Sequence, residues 1–297
     1  MTQHCGLVAV VGAPNAGKST LVNQLVGQKV AAVSPKAQTT RARLLGVAIE
    51  GEAQVLLVDT PGIFEPKRRL DRAMVAAAWS GAEGADLLCL VVDGKGGIGP
   101  KVTAVAEAIA GRPEPKWLVL NKVDIATKEK LLVHAEKLNA IVPFAETWFV
   151  SAETGDGVPE LKRALAAHMP EAPWHYPEDQ VSDATERAMA TEIVREHLFR
   201  QLHAELPYAS YVDTEAFEER ADGSVEIRQL ITVERPTQRA IMLGKGGQQL
   251  KRIGAAARAE LAELWGRPVH LYLHVKVKPG WDEDREAYRG MGLDWVE

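Results

Sequence analysis

The chain is poor in the residues on which several specialised protein classes depend. It has two cysteines, Cys5 and Cys89, too few for a disulfide framework or a cysteine-rich metal site. Both lie in apolar, strand-like runs and read as small buried hydrophobes of a reducing compartment. No run of about 18 apolar residues occurs, so no membrane-spanning helix is expected. The start, MTQHC, is short and polar. It is not expected to be a secretory signal, which needs a basic start and an apolar stretch of about 7–15 residues. An excess of basic charge is also missing. The net charge of -5 argues against a uniformly basic nucleic-acid binder. Neither an internal repeat nor a low-complexity tract is present.

What is there suits soluble globular protein. Hydrophobic residues make up 46% and charged residues 25% of the 297 positions. At about 100–200 residues per domain, that length predicts two domains. From Leu7 to about Met169, short apolar runs alternate with helical periods. The runs are Leu7–Val11, Val55–Asp59, Leu87–Asp93, Trp117–Asn121 and Thr147–Ser151. Continuous apolar runs suit strands buried on both faces. The alternation predicts an α/β domain with a mostly parallel sheet, binding ligands beyond the carboxyl ends of its strands. Three prolines in MPEAPWHYP, 169–177, end the helical period and read as a linker, though its aromatics could instead pack on a domain. The later order is helix, strand, strand, helix, helix, strand, with Ser182 or Asp183 expected to cap the first helix. The expected boundaries are 1–170, a linker at 171–182, and 183–297 for an α+β second domain with a C-terminal extension.

The first strand ends in Gly12-Ala13-Pro14-Asn15-Ala16-Gly17-Lys18-Ser19, a match to G-x-x-x-x-G-K-[ST] in its required strand–loop–helix context. The glycines let main-chain amides point inward as an anion nest at a helix N-terminus. Lys18 is expected to contact β- and γ-phosphates, and Ser19 to ligate Mg²⁺. The plainer alternative is a glycine-rich turn beside a surface lysine. The motif alone does not choose between GTP and ATP. Asn121-Lys122-Val123-Asp124 does. The Asp124 carboxylate can accept from the two ring-edge donors of guanine, which adenine lacks, and unpaired buried polar groups discriminate strongly. Asn121 would brace the loop, and the Lys122 stem would cover the base. Alone, this tetrapeptide is a weak signal and could be a solvated strand-end turn.

Further segments fit the same site. In Asp59-Thr60-Pro61-Gly62, Asp59 would hold Mg²⁺ through water and the Gly62 amide would contact the γ-phosphate. Thr40, in preference to Thr39, would complete the Mg²⁺ shell. Lys18, Thr40 and Gly62 are therefore the candidate catalytic residues, and Ser19, Thr40 and Asp59 the candidate metal ligands. In Ser151-Ala152-Glu153, the Ala152 amide would meet the guanine carbonyl. These segments, in this order, resemble the GTPase superfamily of translation factors and Ras-like switches. By that resemblance, the loops around Thr39–Arg41 and Asp59–Arg69 are switches released on hydrolysis. One residue departs from the pattern. The residue after D-x-x-G is Ile63, where Ras-like enzymes carry a water-orienting glutamine. A bacterial GTPase group with an apolar residue there carries an asparagine like Asn15 in the phosphate loop, which in several members helps hold K⁺. K⁺ stimulation is therefore an expectation. Arg41 and Arg43 are alternative sources of positive charge, although solvated switch-loop residues are the plainer reading.

The second domain carries Gly244-Lys245-Gly246-Gly247 between two expected helices. Glycines let a nucleic-acid backbone come close, and Lys245 and the following helix N-terminus offer phosphate contacts. A lone G-x-x-G could be a helix–turn–helix connector. In this order of elements it resembles the bacterial-type KH domain, which clamps about four nucleotides of single-stranded RNA. Between Arg235 and Lys278, nine basic residues stand against Glu260 and Glu263, an excess of seven. That favours a polyanion partner. Lys251 and Arg252 are further RNA-contact candidates. Met242, Leu243 and Ile253 could line an apolar groove or be core. Trp281 could stack on RNA or pack within the domain.

A GTPase domain followed by one KH domain resembles the Era family of bacterial GTPases, most closely at Lys36-Ala37-Gln38-Thr39-Thr40-Arg41 and Ile241–Gly254. The resemblance implies a GTPase that captures the 3′ end of small-subunit ribosomal RNA when GTP is bound, releases it after hydrolysis, and acts in assembly of the small ribosomal subunit. It also implies a cytoplasmic protein with peripheral inner-membrane association, although no amphipathic anchor is seen, and no obligate oligomer. Two other readings remain open at this stage. One is a nucleotide-gated binding protein with incidental hydrolysis. The other is a P-loop nucleotide kinase or ATPase, against which Asn121–Asp124 argues. The single phosphate loop excludes a tandem-GTPase assembly factor.

Overall fold

The computed structural model describes residues 2–36, 39–203 and 205–296. Ala37 and Gln38 of the first switch, with Met1 and Glu297 of the expected domains, lie outside the described residues. The chain packs as two compact units. One runs to Ala31 and continues from Thr40 to Asp183. The other combines Ala32–Thr39 with the chain from Ala184 onward.

The first unit opens with β1 (His4–Val11), α1 (Lys18–Val26), β2 (Leu44–Glu50) and β3 (Ala53–Asp59). Then follow α2 (Arg69–Ser80), β4 (Leu87–Asp93), α3 (Pro100–Ala110), β5 (Lys116–Asn121), α4 (Lys128–Asn139), β6 (Glu146–Phe149) and α5 (Val158–His168). The sheet order is β2-β3-β1-β4-β5-β6, with every pairing parallel except β2–β3. Alternate residues of each inner strand enter opposite cores. Val8 and Val10 pack with Leu21 and Leu25 of α1 and Leu161 of α5. Ala9 and Val11 pack with Ile109 of α3 and Leu138 of α4. Burial on both sides explains why these strands read as unbroken apolar runs. Both cysteines are free and buried, and burial pushes the Cys89 thiol up to about 12.

The sequence reading assigns nothing to β2, because Gly46 interrupts it and glycine weakens a strand. The glycine is there for α1. A Cβ on Gly46 would meet Val26 at 2.9 Å and Val22 at 3.1 Å. The proline-rich stretch is not a loose tether either. Buried Gln54 of β3 accepts from the amides of His175 at 2.9 Å and Tyr176 at 3.1 Å, and donates to the Tyr176 carbonyl at 2.9 Å. Trp174 donates to the Glu52 carbonyl at 3.0 Å. At the edge of β2, Val47 donates to Val181 at 2.8 Å and Ser182 to Leu45 at 2.7 Å. The stretch is a strap along β2 and β3, and it covers an edge that would otherwise expose unpaired main chain.

The second unit contains α6 (Glu186–Gln201), β7 (Ser210–Glu219), β8 (Val225–Val233), α7 (Pro236–Leu243), α8 (Gln248–Trp265), β9 (Val269–Val277) and α9 (Arg285–Gly290). Its sheet is β7-β8-β9, antiparallel then parallel. Helices α6, α7 and α8 bury Ile193, Val194, Met242, Ile253 and Leu261 against Ile227, Ile231 and Val275. Helix α6 starts later than expected. Its cap is Thr185, whose hydroxyl accepts from the Ala188 amide at 3.2 Å, because Ser182 is already committed to Leu45. Among the described residues, no helix is long and apolar enough to cross a membrane.

Candidate functional site

The G-x-x-x-x-G-K-S segment turns from the end of β1 into α1. Asn15 and Gly17 adopt left-handed backbone, φ 64° and 92°. Gly17 must be glycine for a second reason, since a Cβ there would stand 2.2 Å from Asn121 Nδ2. Lys18 is buried, and its ammonium donates to the carbonyls of Gly12 at 3.2 Å and Ala13 at 3.1 Å. Burial lowers its pKa to about 8, with Asp59 pulling it back up. Pro14 lies against Gly62, where a Cβ would approach Pro14 Cα to 2.8 Å. Ala16 is buried and Asn15 exposed.

Ser19, Thr40 and Asp59 converge. Ser19 Oγ donates to Asp59 Oδ2 at 2.6 Å and lies 2.9 Å from Thr40 Oγ1, which is 3.4 Å from the same carboxylate oxygen. Thr39 turns elsewhere, its hydroxyl 2.6 Å from Ser34 Oγ and 2.9 Å from the Lys36 carbonyl. Thr60 is buried and donates to Val10 at 2.8 Å, and Pro61 is buried beside it. The Ile63 amide donates to the Gly12 carbonyl at 3.0 Å. Its side chain is 8% exposed, packed with Ala9 and Val11. That side chain has no donor or acceptor to orient water.

Asn121 joins three motifs. Its Nδ2 donates to Ala16 at 2.9 Å, and its Oδ1 accepts from the Ala152 amide at 2.9 Å. Ser151 is buried, its hydroxyl accepting from Thr154 at 3.1 Å, and Glu153 is exposed. Asp124 is exposed in a single turn after Lys122. Lys122, left-handed at φ 66°, donates to the Asn15 carbonyl at 2.9 Å and to Asp93 at 2.6 Å. Sequence reasoning overlooks Asp93. Burial would raise its carboxyl, but the Lys122 hydrogen bond and the Gly96 and Lys95 amides hold it below the usual range. The available signal is register, since Asp93 pairs with Asn121 across β4 and β5.

In the second unit, Gly244, Gly246 and Gly247 all have positive φ, at 70°, 61° and 77°. A Cβ on Gly246 or Gly247 would meet nothing within 4 Å, whereas one on Gly244 would meet Gln249 at 2.7 Å. The loop is therefore tight at its base and open at its tip, at the N-terminus of α8. Lys245, Lys251 and Arg252 are exposed. Met242 and Ile253 are fully buried, so they are core and not groove. Ile241 is instead 62% exposed beside the loop.

Trp281 corrects the stacking expectation. It is 3% exposed, stacked on Tyr211 with centroids 5.9 Å apart, and its indole donates to the Ala209 carbonyl at 3.3 Å. The ring is packed inside the unit and offers no base a platform. The basic excess is also smaller than the window suggests. Arg267 pairs with Glu186 and Glu219, and Lys278 with Asp284. Those acids lie outside residues 235–278.

Two family models match separate parts of the chain. The 50S ribosome-binding GTPase family model matches residues 7–122, and the KH domain model matches residues 205–282. The chain is 61% identical to GTPase Era of Erythrobacter litoralis over 296 residues, covering 98% of this chain and 97% of that one. It is 56% identical to GTPase Era of Afipia carboxidovorans over 292 residues, covering 98% and 95%. Among solved structures, Era in complex with MgGDPNP and nucleotides 1506–1542 of 16S ribosomal RNA superposes with a TM-score of 0.92 at 38% identity. The match covers 98% of this chain and 99% of that one.

Proposed function

This chain belongs to the Era family of GTPases, and on that premise we propose that it is a GTP-hydrolysing switch that binds the 3′ end of small-subunit ribosomal RNA during assembly of that subunit. The observation that carries the RNA half is the open-tipped Gly244–Gly247 loop at the N-terminus of α8, flanked by exposed Lys245, Lys251 and Arg252. Main-chain amides and cations placed there suit a phosphate backbone. The choice of RNA follows the relative solved with a 16S fragment; the GTPase family description itself mentions the 50S subunit. Crosslinking the protein to total RNA and mapping the bound nucleotides tests it. Crosslinks spread evenly over ribosomal RNA would refute it.

In this reading the nucleotide's phosphates lie in the nest of Gly12–Ser19, and Lys18 swings from its own loop carbonyls to the β- and γ-phosphates. Asp124 and the Ala152 amide read guanine, while Lys122, held by Asp93, covers the base. Three hard oxygens, those of Ser19, Thr40 and Asp59, suit Mg²⁺, with Asp59 acting through water. The ion would neutralise charge that develops on the phosphates. Thr40 and the Gly62 amide close on the γ-phosphate, which orders both switches. RNA is gripped in the GTP form and released after hydrolysis, which requires different RNA affinities in the two states. Because Ile63 has no polar side-chain atom, the attacking water is positioned by another group, and the positive charge that other GTPases take from an arginine finger needs its own source. K⁺ held with the help of Asn15 is our choice. Equal turnover in KCl and NaCl would rule it out. The protein is taken to be cytoplasmic, with peripheral inner-membrane contact tested by vesicle flotation.

A further inference from the structure

Three consecutive ionisable side chains are buried on α6: Arg195 at 4%, Glu196 at 0% and His197 at 9% exposure. The nucleotide site uses none of them. Buried charge persists only where partners replace water, and here the partners lie in two directions.

In one direction is α8, the helix that follows the Gly244–Gly247 loop. His197 Nε2 stands 2.7 Å from Glu260 Oε2. Near the other end of α8, Gln249 Nε2 reaches the Gln201 carbonyl at 3.5 Å.

In the other direction is the segment that leads into the expected Thr39–Arg41 switch, of which Val33 and Thr39 group with α6. Glu196 accepts from the Val33 amide at 3.0 Å. Arg200 donates to the Val33 carbonyl through Nε at 3.2 Å and Nη2 at 3.1 Å, and pairs with Glu196 at 2.5 Å. Both main-chain polar groups of Val33 are thus held by one i,i+4 ion pair. Arg195 donates to the Thr39 carbonyl. That carbonyl belongs to the peptide bond immediately before Thr40, so a buried guanidinium holds the main chain next to the Thr40 residue.

We propose that Arg195, with the Glu196–Arg200 pair, is a positioning device for Thr40 that couples closure of the first switch to the placement of α6 and, through it, of the RNA loop. Thr40 lies beside Ser19 and Asp59 with these bonds in place, so release of the switch after hydrolysis either moves α6 or breaks them. Either outcome gives RNA a means to distinguish the two nucleotide states. The proposal rests on the GTP-dependent RNA binding proposed above.

The test uses the full chain and a labelled RNA with the 3′-terminal sequence of the small-subunit ribosomal RNA. Its affinity is measured by anisotropy with GDP and with a non-hydrolysable GTP analogue, for wild type, Arg195→Met, Arg195→Lys and the double variant Glu196→Gln with Arg200→Ala. Couplings of this type amount to about 5–150-fold in affinity. We expect wild type in that range and both Arg195→Met and the double variant within about twofold of unity. GDP affinity should be unchanged in both, and Arg195→Lys should recover part of the ratio. By reciprocity, the variants also lose the gain in GTP-analogue affinity that RNA confers. Because Arg200→Ala alone leaves the Glu196 carboxylate buried without its cation, it is made together with Glu196→Gln, which removes that charge and keeps an oxygen for the Val33 amide. A wild-type ratio of one overturns both this proposal and the GTP-dependent RNA binding on which it rests. A wild-type ratio retained in the double variant and in Arg195→Met, or in the double variant alone if the other misfolds, overturns this proposal only.

Discussion

Asn121 donates to the carbonyl of Ala16 at 2.9 Å, across 105 positions of chain. The same side chain accepts from Ala152, so the phosphate loop and both base-reading loops share one brace. Asn121→Ala leaves the Ala16 carbonyl and the Ala152 amide buried without that partner. Two such losses cost about 2–3 kcal/mol, so GDP should bind roughly 30–150-fold more weakly in a fluorescent-nucleotide titration. Affinity within threefold of wild type would show that the brace is dispensable.

Asp93 pairs with Lys122, the side chain proposed to cover the base, and both are about a third exposed. Solvent screening limits such a pair to about 0.5–1 kcal/mol. Asp93→Ala should accelerate GDP release by roughly two- to fivefold and leave the thermal midpoint nearly unmoved. The carboxyl is held below its ordinary value of 3.8, so its contribution is present above that value and is lost as pH falls through the lower folded one. Between pH 5 and 8 the pair should therefore add no pH dependence of its own, which stopped-flow release across that window checks.

Lys18 gives the opposite sign. Burial lowers its pKa to about 8, and bound phosphate favours the ammonium. Affinity for nucleotide should then fall as pH rises through 8. At pH 9 binding should take up about 0.9 proton if the bound lysine stays charged. Calorimetry in buffers of different ionisation heat reads this directly, and zero uptake would contradict it. The same depression means that the nucleotide-free protein gains stability as pH rises from about 8 towards the unfolded value of 10.5.

Trp281 is a packing residue. Removing its ring from the stack on Tyr211 should cost about 3–5 kcal/mol of stability. RNA affinity of the folded fraction, measured in the cold, should stay near wild type. Unchanged stability with tenfold weaker RNA binding would restore the stacking role.

The nucleotide site was legible in the sequence because its chemistry is local. Gly12–Ser19, Asp59–Gly62 and Asn121–Asp124 each carry their geometry within a few residues, and strands buried on both faces announce themselves by composition. What was not legible depends on distant partners. Gly46 hides β2 until the packing of α1 explains it. Asp93 has no motif and gains its place only through register with Asn121. The local basic excess looked larger than it is, because Glu186, Glu219 and Asp284 approach from outside the window. The buried run at Arg195–His197 breaks the apolar period of α6 for a reason visible only when Val33, Thr39 and Glu260 are in place.

The grip of α6 on Val33 and Thr39 has a consequence for synthesis. Chains emerge from the ribosome N-terminus first, and domains tend to fold in that order. The candidate nucleotide site, from Gly12 to Glu153, is complete by residue 153. The anchors of the first switch are not made until residues 195–200. For that interval a nascent chain carries the candidate pocket with Val33 and Thr39 still lacking their α6 partners. On the coupling proposed above, these anchors form only as the second unit is itself being built, so a product truncated before α6 would have the pocket without them.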